Sequence, residues 1–248
     1  MEKNYIHENC SAFLIGGPCA VENYQMIKET TEYLLTKNIT NIRANIFKPR
    51  TSPNSFQGLG LQGLKILSQL KKTHNVNLIS EIVDTRHIEL MIDYVDIFQV
   101  GSRNMSNFEL LKELGRIAKP VLLKRGMSAT IEEFICAAEY IIQGGNKDIY
   151  LCERGIRSFD NATRNTLDLS CVPLLKNQTE LPVIVDLNHS LGRKDIIVEM
   201  GKAALACGAD GLMLEVHPDP QNALSDEQQQ LNFKEFENFH NRIFTSKK

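Results

Sequence analysis

The sequence predicts an α/β protein, a (β/α)8 TIM barrel in a single domain, and three observations carry that prediction. Eight short apolar runs alternate with segments of helical spacing along 248 residues. No linker, composition break, internal repeat or low-complexity stretch divides the chain, and one closed barrel of this kind needs roughly 250 residues. Charged and reactive side chains crowd the C-terminal ends of the apolar runs, the end at which such barrels carry chemistry. An open doubly wound sheet is the alternative reading of the same alternation.

Taken in order, strands are expected at 12–15, 42–47, 77–83, 97–101, 120–124, 149–152, 182–186 and 211–216. Helices are expected at 24–37, 61–74, 86–94, 107–116, 131–143, 165–175, 194–206 and 226–244. Apolar residues three and four apart support the helices, as at Ile131, Phe134, Ile135 and Ala138. Ser106 ahead of Asn107 reads as a start signal, and Gly144 and Gly145 after Gln143 as a stop.

Composition removes several classes of function. With 28 basic and 30 acidic residues the chain has no net basic surface for nucleic acid and no acidic tail, so any anion site is local. Six cysteines, at 10, 19, 136, 152, 171 and 207, form no CxxC pair or regular framework, which predicts reduced thiols and no structural disulfides. The N-terminus lacks the apolar region of a secretory signal and no run of about 18 apolar residues occurs, so a cytoplasmic protein without membrane partners is expected.

At the C-terminal ends of the expected strands the chain places Cys19; Lys48 and Arg50; Glu81 and Asp84; Arg103; Lys124 and Arg125; Glu153, Arg154 and Arg157; Asp186 and His189; and Glu215 and His217. The opposite ends are mostly small or neutral. Two chemistries separate within this ring. Arg43, Lys48, Arg50, Arg103, Lys124 and Arg154 converge from several strands, and their mutual repulsion calls for anionic compensation. Six cations exceed what one phosphate group requires, so two phosphorylated molecules, or one that also carries a carboxylate, fit better. Cys19, His189, Glu215 and Asp226 form the second set, a thiol, an imidazole and two carboxylates able to hold a divalent metal of unspecified identity. No short metal motif joins them, and a buried inert thiol at Cys19 and a structural His189 are the plain alternatives.

The segments GGPCAVEN, KPRTSPNSFQGLG, QVGSRNM, LLKRGM, LCERGIRSF, HSLGRKD and LEVHPDPQNALSD together resemble the 3-deoxy-D-arabino-heptulosonate 7-phosphate (DAHP) synthase family, type I beta-like, whose lineage also contains 3-deoxy-D-manno-octulosonate 8-phosphate synthases. The resemblance implies a metal-dependent, aldol-like condensation of phosphoenolpyruvate with erythrose 4-phosphate, the entry to the shikimate pathway, on a TIM barrel. It implies Cys19, His189, Glu215 and Asp226 as ligands of one divalent ion, Mn²⁺, Fe²⁺, Co²⁺ or Zn²⁺. Arg103, Lys124 and Arg154, assisted by Arg43, resemble the phosphoenolpyruvate clamp. Lys48, Pro49, Arg50 and Thr51 resemble the erythrose 4-phosphate site, with Lys48 near the reacting aldehyde as a proton donor, and Glu81 resembles a carboxylate that positions water. Pro49 sets KPRTS apart from the KANRSS of the octulosonate synthases, which use arabinose 5-phosphate. That substrate, another aldose phosphate, or a catalytically silent phospho-ligand barrel are the competing expectations. Asn54, the LNHS in which Asn188 stands where a small residue more usually precedes the implied metal-binding His189, and Lys194 depart from the usual family pattern. A homodimer or homotetramer is expected from the family, with residues 1–11 as an N-terminal extension and no fused regulatory domain.

Overall fold

The computed structural model describes residues 12–244; the expected extension at 1–11, including Cys10, lies outside the described residues. The strands are β1 Phe13–Gly17, β2 Asn41–Arg43, β3 Asn77–Ile82, β4 Ile97–Val100, β5 Val121–Lys124, β6 Ile149–Glu153, β7 Val183–Asp186 and β8 Gly211–Glu215. They close in chain order into a barrel, each parallel to its neighbours, with β1 paired to β8. The eight expected strands are therefore present and the open sheet is excluded.

The pleat explains how this barrel makes both a core and a site. Side chains alternate faces along a strand, so residues two apart share a face. Ile15, Ile79, Ile97, Leu122, Ile184 and Met213 pack with one another inside the barrel. Two residues further on, the same faces carry Gly17, Glu81, Gln99, Lys124, Asp186 and Glu215. Five of these strands, β3, β4, β5, β7 and β8, thus supply an apolar floor and, one pleat nearer the C-terminal end, a polar group above it.

Between barrel and surface lies a larger apolar layer formed by the outward strand residues and the buried faces of the helices. These are α1 Tyr24–Leu35, α2 Gly63–Thr73, α3 Ile88–Met91, α4 Phe108–Gly115, α5 Ile131–Gln143, α6 Cys171–Gln178, α7 Leu187–Leu191, α8 Ile197–Ala206 and α9 Phe233–Phe244. Local chemistry sets their starts. Asn23 caps α1, Asn107 rather than Ser106 caps α4, and Thr130 and Glu133 form a reciprocal capping box at α5. Among the described residues no helix is long and apolar enough to cross a membrane.

Several boundaries differ from expectation for identifiable reasons. β2 ends at Arg43 instead of residue 47 because side chains take over the pairing: Asn45 Oδ1 accepts from the Glu81 amide and Ser80 Oγ from the Ile46 amide. The helix expected at 165–175 begins at Cys171, since Asn165 and Thr166 donate their amides to Ser190 and Ile156. The helix expected at 226–244 begins at Phe233 because Asp226 has left-handed backbone, φ 50°, and Leu231 pairs with β8 through the Glu215 carbonyl. The helix expected at 194–206 begins at Ile197. Helix α7 was not anticipated; Asp186 starts it by accepting from the His189 amide, and Gly192 ends it with φ 66°.

Candidate active site

A cavity of about 240 Å³ opens at the C-terminal mouth of the barrel. Its wall contains Cys19, Arg43, Lys48, Pro49, Arg50, Glu81, Arg103, Lys124, Arg154, His189 and Asp226, eleven residues expected from sequence and contributed by strand ends and the segments that follow them all round the ring. Glu215 lies just beneath, fully buried. Thr51 is exposed and stands outside the wall. Asn45, Gln99, Arg157, Arg164 and Asn165 also line the cavity.

Cys19, His189, Glu215 and Asp226 meet although more than 200 residues separate the first from the last: one donor atom from each lies within 4.8 Å of the others. Cys19 Sγ is 3.3 Å from Asp226 Oδ2, and His189 Nε2 is 3.4 Å from Glu215 Oε1 and 3.8 Å from Asp226 Oδ2. The left-handed turn at Asp226 brings its carboxylate back over the mouth. His189 Nδ1 lies 2.9 Å from Asp186 Oδ2; an ionised carboxylate only accepts, so Nδ1 carries the proton and Nε2 presents a lone pair to the other three groups.

The protonation states favour a metal. Burial pushes His189 down to about 4, outweighing the ionised Asp186 and Glu215 beside it, so its ring is neutral at physiological pH. Burial opposes ionisation of Glu215 and Asp226, yet His189 and Arg43 around the first, and Lys48 and His189 around the second, hold both below the usual carboxylate range. Burial raises the Cys19 thiol, which favours the thiolate only when a cation takes the proton's place. Glu215 Oε1 is buried without a hydrogen bond; Arg43 Nη2 stands 3.1 Å away but out of alignment. One sulfur, one neutral imidazole nitrogen and two carboxylates, with an unsatisfied oxygen among them, fit a divalent metal ion.

The same pKa shift has a consequence for stability. An unfolded histidine titrates near 6.5, so between about 6.5 and 4 the unfolded chain binds a proton that folded His189 refuses. The His189 contribution is complete above about pH 6.5 and is lost as pH falls toward 4, by on the order of 3 kcal/mol over that window. Chelator-treated protein followed by thermal denaturation is expected to show this fall, and His189→Gln to flatten it; equal slopes in the two proteins would refute it.

The cations divide into compensated and free. Arg43 pairs with Glu215, Lys124 with Asp186 at 2.5 Å, and Lys48 with Asp226 at 2.9 Å while also touching Cys19 Sγ. Among the described residues no carboxylate pairs with Arg50, Arg103, Arg154 or Arg157. Arg154 is 5% exposed and its guanidinium reaches only the Gly155 carbonyl, at 3.4 Å. Buried Arg50 Nη1 and Arg43 Nη1 and Nε have no hydrogen-bond partner. A buried N–H without an acceptor is costly, so these donors mark places where anionic oxygens are to be received. Glu81 stands among them, its carboxyl raised by burial against the pull of Lys124 and Lys48. Gly101 makes room for it: a Cβ there would lie 2.0 Å from Glu81 Oε1.

Other members of the ring are structural. Arg125 Nη1 bridges Glu153 Oε2 at 3.0 Å and Asp168 Oδ2 at 2.9 Å, and none of the three lines the cavity. His217 Nδ1 accepts the Asp219 amide, and Asp84 caps a short turn and pairs with Arg86. The departures from the family pattern also find places. Asn54 is exposed, and Lys194 pairs with Glu235 at 2.8 Å, away from the cavity. Asn188 joins the elements that carry the candidate metal ligands, accepting from the Glu215 amide and donating to the Gln229 carbonyl.

Comparison with known proteins places the chain in a family. The profile of the DAHP synthetase I family matches residues 3–247. A phospho-2-dehydro-3-deoxyheptonate aldolase of Thermotoga maritima is 47% identical over 223 residues, which cover 90% of this chain and 66% of that protein. This chain therefore spans somewhat less than two thirds of that relative. A 2-dehydro-3-deoxyphosphooctonate aldolase of Francisella tularensis subsp. holarctica is 31% identical over 233 residues, covering 86% and 83%. The crystal structure of the Thermotoga maritima phospho-2-dehydro-3-deoxyheptonate aldolase (DAHP synthase) superposes with a TM-score of 0.88 at 46% identity, covering 92% of this chain and 67% of that one. A truncated form of 3-deoxy-D-arabino-heptulosonate 7-phosphate synthase from the same organism gives 0.84 at 42% identity, covering 92% and 83%. A family profile spanning nearly the whole sequence, close structural superposition and a shared barrel show that the chain belongs to the DAHP synthetase I family.

Proposed function

We propose that the protein condenses phosphoenolpyruvate with erythrose 4-phosphate and water to give 3-deoxy-D-arabino-heptulosonate 7-phosphate and phosphate, the first step of the shikimate pathway. The observation that carries this reading is a four-donor metal set beside several unpaired guanidinium groups in one cavity. A divalent ion, Mn²⁺, Fe²⁺, Co²⁺ or Zn²⁺, supplies Lewis-acid polarisation of an aldehyde oxygen when bound to Cys19, His189, Glu215 and Asp226.

The chain's own residues do the rest. Arg103, Lys124 and Arg154, with Arg43 behind them, bind the phosphate and carboxylate of phosphoenolpyruvate and hold its C3 against the aldehyde carbon. Arg50 binds the phosphate of the aldose, with Pro49 shaping the loop and Thr51 at its outer edge. C3 forms the new bond, the aldehyde oxygen takes a proton from Lys48, and positive charge develops at C2. Glu81 positions the water that adds there; its oxygen becomes the C2 carbonyl, and of its two protons one replaces the proton given by Lys48 and the other leaves with the phosphate. Phosphate then leaves with the electrons of its C2–O bond, its charge met by the guanidinium groups that held it. A cytoplasmic homodimer or homotetramer without nucleic-acid or membrane partners completes the proposal, resting on family resemblance.

Phosphate release measured with each aldose phosphate, with and without chelator, tests it. Turnover with erythrose 4-phosphate that stops on chelation is expected. Preference for arabinose 5-phosphate would assign the substrate of the octulosonate relatives instead, and release with neither aldose would remove the condensation.

A further inference from the structure

We propose that Arg164 is a second guanidinium for the aldose phosphate, standing with Arg50 where two cavities join; this rests on the reading above that a phosphorylated aldose binds here. The cavity at the barrel mouth adjoins a more open one of about 600 Å³. Of the cations among the described residues, only Arg50 and Arg164 line both. Arg50 brings the buried Nη1 that has no partner. Arg193, in the outer cavity, is occupied by Asp195 at 2.7 Å.

Arg164 belongs to a long loop between β6 and α6, yet its backbone is fixed. Its amide donates to the Leu191 carbonyl at 2.9 Å and the next amide, of Asn165, to Ser190 at 2.8 Å. Asn165 Nδ2 donates to the His189 carbonyl at 3.0 Å. Three hydrogen bonds thus lock this stretch to the turn that carries His189. Gly192 completes the seat: a Cβ there would lie 2.5 Å from Arg164 Cβ, so the arginine stem packs against a bare Cα.

The guanidinium is only partly engaged. Nη1 donates to Gln229 Oε1 at 2.7 Å and reaches Asp226 Oδ2 at 3.4 Å; Nε and Nη2 have no partner among the described residues. Gln229 and Asp226 orient the group from one side and leave the Nε–Nη2 edge, the edge suited to two parallel hydrogen bonds, for an incoming ligand. A phosphate monoester near pH 7 carries close to two negative charges, so two guanidiniums at one junction match it better than Arg50 alone. The pair makes the site select phosphorylated over unphosphorylated aldoses.

The test compares kcat/KM for erythrose 4-phosphate with that for erythrose, in the metal-loaded wild type, Arg164→Met and Arg164→Lys. The methionine variant is expected to lower the preference for the phosphorylated sugar by roughly ten- to hundredfold, the range of a charge-assisted hydrogen bond, mainly through KM for the aldose. The lysine variant should recover part of it. Equal losses on both sugars, or an unchanged preference, would overturn the assignment, since a merely structural Arg164 cannot distinguish them. Calorimetric titration with glycerol 3-phosphate needs no turnover. If the wild type turns over neither sugar, the condensation falls, while affinity for this probe that drops in Arg164→Met still supports the phosphate seat, and unchanged affinity refutes it.

Discussion

Replacing Cys19 with alanine is expected to abolish metal-dependent turnover while leaving the barrel folded. The loop that carries Cys19 does not depend on its sulfur. The Cys19 amide donates to Gln230 Oε1 at 2.9 Å, and its carbonyl accepts from Asn45 Nδ2 at 3.1 Å. Removing one buried sulfur atom leaves those bonds in place and costs about 1 kcal/mol, so the thermal transition should move by only a few degrees. The metal set loses far more, because one of its four donors disappears and no neighbouring group replaces it. Outer-shell partners of metal ligands already alter affinity or activity by about 10- to 100-fold, so loss of a direct ligand should exceed that range. Metal content after dialysis, the melting curve and phosphate release separate the effects. Full turnover by a metal-stripped Cys19→Ala protein would remove Cys19 from the site.

What sequence shows and what it hides follow from the range of the interactions. The eight strands are legible because buried parallel strands are short apolar runs, and the groups at their ends are legible because polarity changes abruptly there. The metal quartet is not a local pattern; it becomes visible in sequence only through resemblance to a family, and in space only once β1, β7, β8 and the 226–231 segment are assembled. The errors lie where long-range bonds override local propensity. Asp226 sits in a stretch that reads as helix, but its left-handed turn is held by Lys48, 178 residues away. Arg164 lies in a loop without periodicity, and contacts with α7 fix its position. Arg125 and Glu153 look like mouth residues by sequence, yet they pair with each other outside the cavity lining. Asp186 is named at the end of the seventh strand but belongs to neither the cation set nor the metal set, although its place is legible. It follows Ile184 by two on an inward face, as Lys124 follows Leu122 and Glu215 follows Met213, so the pleat alone puts it in the polar layer.

That position makes Asp186→Asn the second large effect. Fully buried, Asp186 accepts from Lys124 Nζ at 2.5 Å and His189 Nδ1 at 2.9 Å through Oδ2, and from the His189 amide at 3.1 Å through Oδ1. Burial disfavours its charge, but His189 and Lys124 outweigh burial and hold it well below the usual carboxylate range. An asparagine fills the same space without the charge, and its amide nitrogen donates where donors already point. Lys124 becomes a buried cation without a counter-ion, a loss of about 3 to 5 kcal/mol, and the melting temperature should fall by roughly 10 °C. His189 also loses the acceptor that fixes its tautomer, so metal affinity should drop by about 10- to 100-fold. These two consequences separate on adding phosphoenolpyruvate. If Lys124 belongs to its clamp, the substrate's anion supplies the missing counter-charge, and phosphoenolpyruvate should raise the melting temperature of Asp186→Asn more than that of the wild type. An equal rise in both proteins would show that Lys124 does not receive the substrate and that Asp186 serves His189 alone.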